Sequence, residues 1–276
     1  MANVIVWAAH GKRYILECIE SLNSVLSSNS NIKSVLYTLY DDKIDVNLNE
    51  LFDEVIYLES TLDIKGYYFK LYALKHIRLD KFLFLDSDTI VLSDISSLFD
   101  KLNSCPIIAV ADPLVNTFQH ISDLNVPKNW FFCDAFGEIN TGVIFINKVK
   151  LGDVFFKSVL SFHLELINEN LNFIPSVVPD QPAFYQAILA ADVIPLFVGA
   201  HYNFRNCYPQ CTYQPIKIVH GHKGLTEAHF KGGGVSNDVN IFFPWGGKVM
   251  RADWFNKGLF YFYRLFNQML DLVRCK

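Results

Sequence analysis

Short apolar runs alternate with longer segments of helical periodicity along this chain. The runs are rich in Val, Ile, Leu, Tyr and Phe, which is typical of buried β-strands. Strands are predicted at 4–9, 34–40, 54–58, 82–85, 107–111 and 141–147. Between them, apolar residues recur every three or four positions, as Ile15, Cys18, Leu22 and Val25 do. Helices are therefore predicted at 13–29, 67–77 and 154–170.

Strands that alternate with helices predict an α/β fold, with a mostly parallel sheet covered on both faces. In such sheets ligands bind at the carboxyl ends of the strands. The length of 276 residues favours one domain. We expect a single domain over 1–250, with halves at 1–115 and 116–250 that no linker composition divides. Residues 251–276 form a separate aromatic and basic segment.

Composition narrows the function classes. The formal net charge of −4 provides no overall positive field for a polynucleotide, so nucleic acid is not expected as a partner. Cys207 and Cys211 are the only closely spaced cysteines, and a disulfide, a metal site and free thiols all remain open for them. The first residues lack the basic flank and long apolar run of a signal peptide, and a cytoplasmic location is expected.

Two aspartates, Asp86 and Asp88, follow the buried strand at 82–85. Carboxylates at i and i+2 repel each other, so at a strand end they need solvent or a cation. Mg²⁺ or Mn²⁺ would accept these oxygen ligands and could bridge them to a diphosphate. The plainer alternative is a turn in which Asp88 hydrogen-bonds nearby backbone.

Five segments in succession carry a family resemblance. They are 69–99, which contains FLDSD, then IIAVADP at 107–113, EINTGVIFINK at 138–148, DQPAFYQAI at 180–188 and IVHGHKG at 218–224. In that order they resemble the motifs of retaining GT-A glycosyltransferases of the glycogenin and bacterial lipopolysaccharide galactosyltransferase type. The resemblance spans roughly residues 3–225 and implies a GT-A-like nucleotide-diphospho-sugar transferase fold. It also implies that 1–250 is a catalytic domain, with a nucleotide-binding half at 1–115 and an acceptor and catalytic half at 116–250.

The resemblance implies a metal centre and a donor site. Asp86, Asp88 and His220 match the family's ligands to Mn²⁺, with Mg²⁺ as the alternative ion, and the donor is expected to be a nucleotide sugar, usually UDP-linked. The other positions matched to donor binding are Ala8, Ala9, Tyr14, Lys70, Asp86, Ser87, Asp112, Asn140, Gly142 and Lys223. The family continues from its histidine into a lysine followed by Pro and Trp, which this chain lacks after Lys223.

Several of these positions have plainer interpretations. Lys70 alone would be an ordinary helix-surface lysine, and Asp112 before Pro113 is a turn signal. Asn140 and Gly142 could mark a turn that enters a strand. His220 could be a core histidine without a metal.

Catalysis is assigned by the resemblance to Asp180 and Gln181, near the anomeric carbon of the donor. Asp180 could equally be the N-cap of a helix with Pro182 in its first turn. The implied reaction is sugar transfer to a hydroxyl acceptor with retention. The alternatives are an inverting GT-A transferase and a nucleotide-sugar-binding module without turnover.

Two further segments bear on the acceptor, which we expect to be a glycan, a protein or a lipid-linked molecule. Residues 201–215 concentrate aromatic and amide side chains suited to stacking on sugars and to binding their hydroxyls, or simply pack on their own domain. Residues 252–276 are too apolar for a free helix. They form either a helix docked on the catalytic domain or a peripheral membrane contact.

Overall fold

The computed structural model describes residues 2–40, 44–59, 66–112, 125, 127, 130, 138–171, 178–205, 210–212, 214–221, 240–243 and 248–251. In chain order the strands are β1 (Asn3–Ala8), β2 (Ile32–Leu39), β3 (Glu54–Leu58), β4 (Lys81–Leu85), β5 (Thr89–Val91), β6 (Ile107–Ala111), β7 (Ile139–Asn147), β8 (Leu196–Phe197), β9 (Phe204–Arg205), β10 (Gln210–Thr212), β11 (Ile218–His220), β12 (Asn240–Phe243) and β13 (Lys248–Arg251). The helices are α1 (Lys12–Ser28), α2 (Leu48–Leu51), α3 (Tyr67–His76), α4 (Ser96–Lys101), α5 (Lys148–Leu151), α6 (Asp153–Glu169) and α7 (Gln181–Ala190), with a 3-10 turn at Ala200–Tyr202.

Seven strands form the central sheet, in the order β3-β2-β1-β4-β7-β6-β8. The pairs β1 with β2, β2 with β3, β1 with β4 and β6 with β8 are parallel. Strand β7 is antiparallel to both neighbours, β4 and β6. The mixed but mostly parallel sheet confirms the predicted α/β class, and the reversal of β7 places its first residues beside the carboxyl ends of β4 and β6.

Helices cover both faces of this sheet. On one face α3, α6 and α7 pack against strand residues such as Val6, Phe84 and Ile144. On the other, α1 and α4 pack against residues that include Trp7, Leu85 and Phe145. Strands buried on both faces are largely apolar, which explains the unbroken runs at 82–85 and at 143–146 within the fully buried β7.

Two small sheets accompany the central one. The order of the first is β5-β11-β9, with β11 antiparallel to β5 and parallel to β9. The order of the second is β10-β12-β13, and its strands pair antiparallel. The first joins the chain just beyond Asp88 to the chain at His220, and therefore matters for the site.

Predicted and observed elements agree closely over the described residues. The helix expected at 67–77 is Tyr67–His76, and the strand expected at 141–147 begins two residues earlier, at Ile139. Among the helices that the structure describes, none has the length and apolar character needed to span a bilayer. The segment 252–276 lies outside the described residues.

The core of the sheet provides a stability prediction. Phe145 on β7 is 1% exposed and meets Phe99 edge-to-face at 5.2 Å between ring centroids. We expect Phe145→Ala to lower the free energy of unfolding by about 3–5 kcal/mol, because it removes apolar contact and leaves a cavity. Urea denaturation measures this. The control Val154→Ala, at a position 69% exposed, should change the value by less than about 0.5 kcal/mol, and equal effects of the two variants would contradict the packing described.

Candidate active site

The reversed strand β7 brings three chain segments to one edge of the central sheet. The amide of Asp86, just past β4, donates to the carbonyl of Gly142 at 2.8 Å. The amide of Asp112, just past β6, donates to the carbonyl of Glu138 at 2.8 Å. Asn140 and Gly142 therefore lie between the two aspartates on strand β7, where the pairing with β6 shifts register, and the alternative that they form a turn is wrong.

The small sheet brings His220 to the same edge. Strand β11 pairs with β5 in the register His220 to Thr89, and the amide of Gly221 donates to the carbonyl of Asp88 at 2.9 Å. The hydroxyl of Thr89 also donates to the carbonyl of Asp86 at 2.8 Å. Backbone pairing between residues far apart in sequence thus fixes the histidine against the two aspartates.

Asp86, Asp88 and His220 form a compact set of candidate metal ligands. The His220 Nε2 atom lies 3.5 Å from Asp86 Oδ2 and 3.4 Å from Asp88 Oδ1, and all three ligand atoms lie within 4.8 Å of one another. Two carboxylates and an imidazole suit a divalent ion such as Mn²⁺. The residues therefore fit the metal that the resemblance implies.

The imidazole of His220 is oriented through its other nitrogen. His220 Nδ1 lies 3.1 Å from both Asn140 Oδ1 and Asn203 Oδ1, so it must carry a proton and donate. Burial by itself would lower the pKa of His220, but the Asp86 and Asp88 carboxylates raise it above its ordinary value. A metal ion would displace the Nε2 proton, and its affinity therefore increases with pH.

Gly142 provides the space for this ring. A Cβ atom on Gly142 would lie 2.0 Å from His220 Cε1 and 2.5 Å from Nδ1. The group that approaches this glycine closely is therefore the candidate metal ligand itself.

Lys70 links the candidate metal ligand Asp86 to the candidate catalytic residue Asp180. Its ammonium contacts Asp86 Oδ1 at 2.7 Å and Asp180 Oδ2 at 2.9 Å, and it donates to the Thr141 carbonyl at 2.9 Å. Lys70 is buried, so the helix-surface interpretation is wrong. Burial alone would lower its pKa, but the two carboxylates raise it above the ordinary value.

The pKa of Asp86 depends on its contacts with Lys70 and His220. Burial by itself would raise its pKa, but Lys70 and then His220 hold the pKa below its ordinary value. Asp86 is therefore ionised and available as a ligand at neutral pH.

Asp180 occupies the N-cap position of α7, yet its carboxylate makes no hydrogen bond to the first turn of that helix, which the structure describes in full. The carboxylate contacts Lys70 instead. The capping interpretation of this residue is therefore wrong, and Pro182 at the start of α7 agrees with the predicted helix start.

Asn140 connects the histidine to the second catalytic candidate. Asn140 Nδ2 donates to Asp112 Oδ2 at 3.1 Å and to Gln181 Oε1 at 3.0 Å, while Gln181 Nε2 donates to Asp112 Oδ2 at 3.2 Å. Arg205 Nη1 lies 3.5 Å from the same Asp112 oxygen. Four polar residues from separate segments therefore share one network.

The remaining donor candidates lie along the same edge, but the described hydrogen bonds of this network do not include them. Ala9 is buried just past β1, and its amide donates to the Tyr37 carbonyl at 3.0 Å. Tyr14 is half exposed, in the first turn of α1, and Ala8 is partly buried at the end of β1. Ser87 donates to Glu17 Oε2 at 3.0 Å.

Some sequence-based candidates lie outside the described residues. These are Lys223 and Cys207, while Cys211 is described in its backbone alone. Conversely, sequence reasoning did not select Asn203, Arg205 or Thr141 for the site. Thr141 stood between two selected residues, and the other two lay in the segment 201–215, for which acceptor contact and packing on its own domain were both left open.

Solved structures similar to this chain identify its fold. They include the apo form of glycosyltransferase GlyE from Streptococcus pneumoniae, with a TM-score of 0.52 and 17% identity over 80% of this chain and 54% of that one. The galactosyltransferase LgtC in complex with donor and acceptor sugar analogs matches with a TM-score of 0.51 and 16% identity, over 79% of this chain and 86% of that one. Mouse xyloside xylosyltransferase 1 matches with a TM-score of 0.52 and 14% identity, over 82% and 99%.

These likenesses confirm the predicted fold, which is that of the GT-A glycosyltransferases. The chain spans about half the length of GlyE. No protein-family model matches the sequence, and no curated protein sequence matches it.

The contact between Gly142 and His220 generates a metal-binding prediction. In Gly142→Ala the new methyl group would overlap the imidazole, so we expect the ring to move and Mn²⁺ affinity to fall roughly tenfold or more. Titration of the protein with Mn²⁺, monitored by the electron paramagnetic resonance signal of the free ion, measures the affinity. Gly152→Ala is the control, because a Cβ there meets open space while the φ of +75° imposes strain; it should lower thermal stability and leave Mn²⁺ binding unchanged. Equal Mn²⁺ affinity in Gly142→Ala and the native protein would show that the ring does not need this space.

The ion-paired triad of Lys70, Asp86 and Asp180 generates a pH prediction. Lys70→Met leaves the buried Asp180 carboxylate without its cation and leaves the partly buried Asp86 with His220 alone, and we expect it to lower the free energy of unfolding at neutral pH by about 2–4 kcal/mol. In the native protein the pKa of Asp86 is lowered from 3.8, so its stabilisation is present above that pH and is lost as the pH falls through the folded pKa. In the variant, burial without the cation raises that pKa, and ionisation then destabilises the fold as the pH rises.

The difference in the free energy of unfolding between the native protein and Lys70→Met should therefore be larger at about pH 7 than at about pH 5. Urea denaturation at the two pH values measures it. Lys75→Met, an exposed position on the same helix, is the matched control and should show little effect at either pH. A loss independent of pH would indicate that only packing, and not charge, was removed.

Proposed function

We propose that this protein is a glycosyltransferase that moves a sugar from a nucleotide diphosphate donor, UDP-linked, to a hydroxyl acceptor with retention and with Mn²⁺. The observation that carries the proposal is the cluster of Asp86, Asp88 and His220 at the carboxyl edge of a GT-A sheet. Ligands bind at this edge in open α/β sheets. The fold alone would not support an activity, because function is determined by the site.

The metal side of the site is suited to a diphosphate. Asp86 and Asp88 would hold the ion with carboxylate oxygens, and His220 with Nε2. When bound, the ion supplies positive charge that neutralises the diphosphate as the glycosidic bond breaks. The protein contributes rigidity, because backbone hydrogen bonds join both aspartates and Gly221 to neighbouring strands.

The sugar side of the site would be formed by Asp112, Asn140 and Gln181. Their carboxylate and carboxamide groups offer both donors and acceptors, which hydroxyl groups require. The three side chains already hydrogen-bond to one another, so their orientations are set before a ligand binds. Ala8, Ala9, Tyr14 and Ser87 would face the nucleoside, with Tyr14 stacking on the base.

Retention is supported by the charge state of the site. An inverting transferase needs a carboxylate that is free to take a proton from the acceptor hydroxyl. Over the described residues, each candidate carboxylate of the site instead lies within 3.5 Å of a basic group. Those groups are Lys70 for Asp180, Arg205 for Asp112, and His220 for Asp86 and Asp88. Each of these carboxylates is therefore already in contact with a basic group and is not the unengaged base that inversion needs.

Asp180 and Gln181 are the residues we assign to the reacting centre. Gln181 Oε1 accepts from Asn140 and its Nε2 donates to Asp112, so the direction of the carboxamide is fixed. Asp180 is held by Lys70 at the start of α7. Both would face the anomeric carbon, where positive charge develops.

Nucleotide binding tests the proposal directly. We expect UDP to bind far more tightly with Mn²⁺ than without it, and more tightly than GDP or CMP, in calorimetric titrations. Asp88→Asn should reduce the Mn²⁺-dependent binding at least tenfold, because it removes an anionic ligand. The control Asp45→Asn, whose side chain is 92% exposed, should bind as the native protein does. Nucleotide affinity that changes neither with Mn²⁺ nor with Asp88→Asn would contradict the proposal.

Turnover separates the alternatives. Release of UDP from a set of UDP-sugars in the presence of Mn²⁺ and acceptors would distinguish an enzyme from a module that only binds. The proton NMR coupling of the anomeric proton in the product reports retention or inversion. An inverted product would assign the chain to the inverting class while leaving the metal site intact.

A further inference from the structure

Asn203 lies behind His220, on the side of the ring away from the two aspartates. It is 1% exposed, follows the 3-10 turn at Ala200–Tyr202 and precedes β9. Its Oδ1 atom is 3.1 Å from His220 Nδ1. The segment around it was expected either to contact the acceptor or to pack on its own domain, and this side chain contacts the candidate metal ligand.

Counting donors and acceptors shows which asparagine receives the histidine proton. Asn140 Oδ1 is 3.1 Å from the Gly142 amide and 2.7 Å from Asn203 Nδ2, and both of these groups are donors. A carbonyl oxygen has two lone pairs, so these two donors already occupy it. Among the described hydrogen bonds, the open acceptor for the Nδ1 proton of His220 is therefore Asn203 Oδ1.

The backbone holds Asn203 in register with the histidine. Strand β9 pairs in parallel with β11, with Phe204 opposite Val219. The amide of Lys217 donates to the His201 carbonyl at 2.7 Å. Asn203 and His220 are therefore carried on adjacent, hydrogen-bonded segments, and a side chain fixed in this way can set the orientation of its partner.

We propose that Asn203 is a positioning residue for the metal centre: its carboxamide oxygen accepts the Nδ1 proton of His220 and so directs the lone pair of Nε2 toward Asp86 and Asp88. This inference rests on the metal site of the proposed function and does not require sugar transfer. A ligand histidine whose second nitrogen is hydrogen-bonded loses less freedom on binding and is the more basic ligand. Asn203 itself contacts neither metal nor substrate in this assignment.

Two substitutions separate the acceptor from the rest of the side chain. Asn203→Leu removes both the oxygen and the amide that donates to Asn140. Asn203→Asp also removes the amide, but it keeps an oxygen for the Nδ1 proton and adds a negative charge. The difference between the two variants therefore reports the acceptor oxygen together with that charge, and the proton-exchange readout below isolates the hydrogen bond itself. The change common to both variants reports the lost contact with Asn140.

Mn²⁺ affinity, measured with the metal alone by electron paramagnetic resonance, is the first readout. We expect Asn203→Leu to weaken binding roughly 10- to 100-fold and Asn203→Asp to recover most of that loss. Asn103→Leu, at an exposed asparagine, is the control and should bind as the native protein does. Native affinity in Asn203→Leu, or equal losses in both Asn203 variants, would overturn the inference.

The second readout is spectroscopic. With Co²⁺ bound, the Nδ1 proton of a ligand histidine gives a paramagnetically shifted NMR signal that disappears when the proton exchanges with D2O. We expect slow exchange in the native protein and in Asn203→Asp, and fast exchange in Asn203→Leu. Slow exchange in Asn203→Leu would overturn the assignment even if the affinity had changed, because a loosened fold also lowers affinity.

The outcomes also distinguish this inference from the proposed function. A native protein that binds Mn²⁺ but transfers no sugar would leave the role of Asn203 supported and would contradict the transferase assignment. If the native protein transfers sugar and Asn203→Leu binds Mn²⁺ as tightly as the native protein does, the transferase assignment is supported and the role of Asn203 is contradicted. A native protein that binds neither Mn²⁺ nor Co²⁺ would overturn both.

Discussion

Mutual repulsion among acidic groups is the constraint that shapes this site. Asp86, Asp88, Asp112 and Asp180 lie at one edge of a sheet, partly or fully removed from water, where like charges are costly. A basic group, which is Lys70, Arg205 or His220, lies beside each of these aspartates and offsets the repulsion. Lys70 is the most deeply buried of these groups, and because it contacts two carboxylates it connects the candidate metal ligand Asp86 to the candidate catalytic residue Asp180.

Backbone topology, more than side-chain packing, brings the acidic groups together. A parallel strand in the place of β7 would put Asn140 and Gly142 at the far end of the sheet, away from Asp86. The pairing of β5 with β11 likewise joins residues about 130 positions apart in the sequence. Both features are main-chain hydrogen-bond ladders, which fix positions more precisely than loops do.

Much of the fold and part of the site could be predicted from the sequence. The unbroken apolar run before Asp86 and the five ordered motifs indicated the sheet and the metal ligands. The direction of β7 could not be predicted, because a strand buried on both faces has no alternation that records its orientation. The burial of Lys70 and the role of Asn203 depend on contacts between distant segments, and the local pattern around each is that of an ordinary surface or loop residue.

The small sheet that holds His220 consists of strands of only two or three residues. Such short ladders close and open with little free energy of their own. An ion held by Asp86, Asp88 and His220 would act as a non-covalent crosslink between this sheet and the central one. Metal loading would then slow amide hydrogen exchange in β5, β9 and β11 well beyond the ligands themselves, so that the same ion would contribute both the charge for the chemistry and the local order of the site.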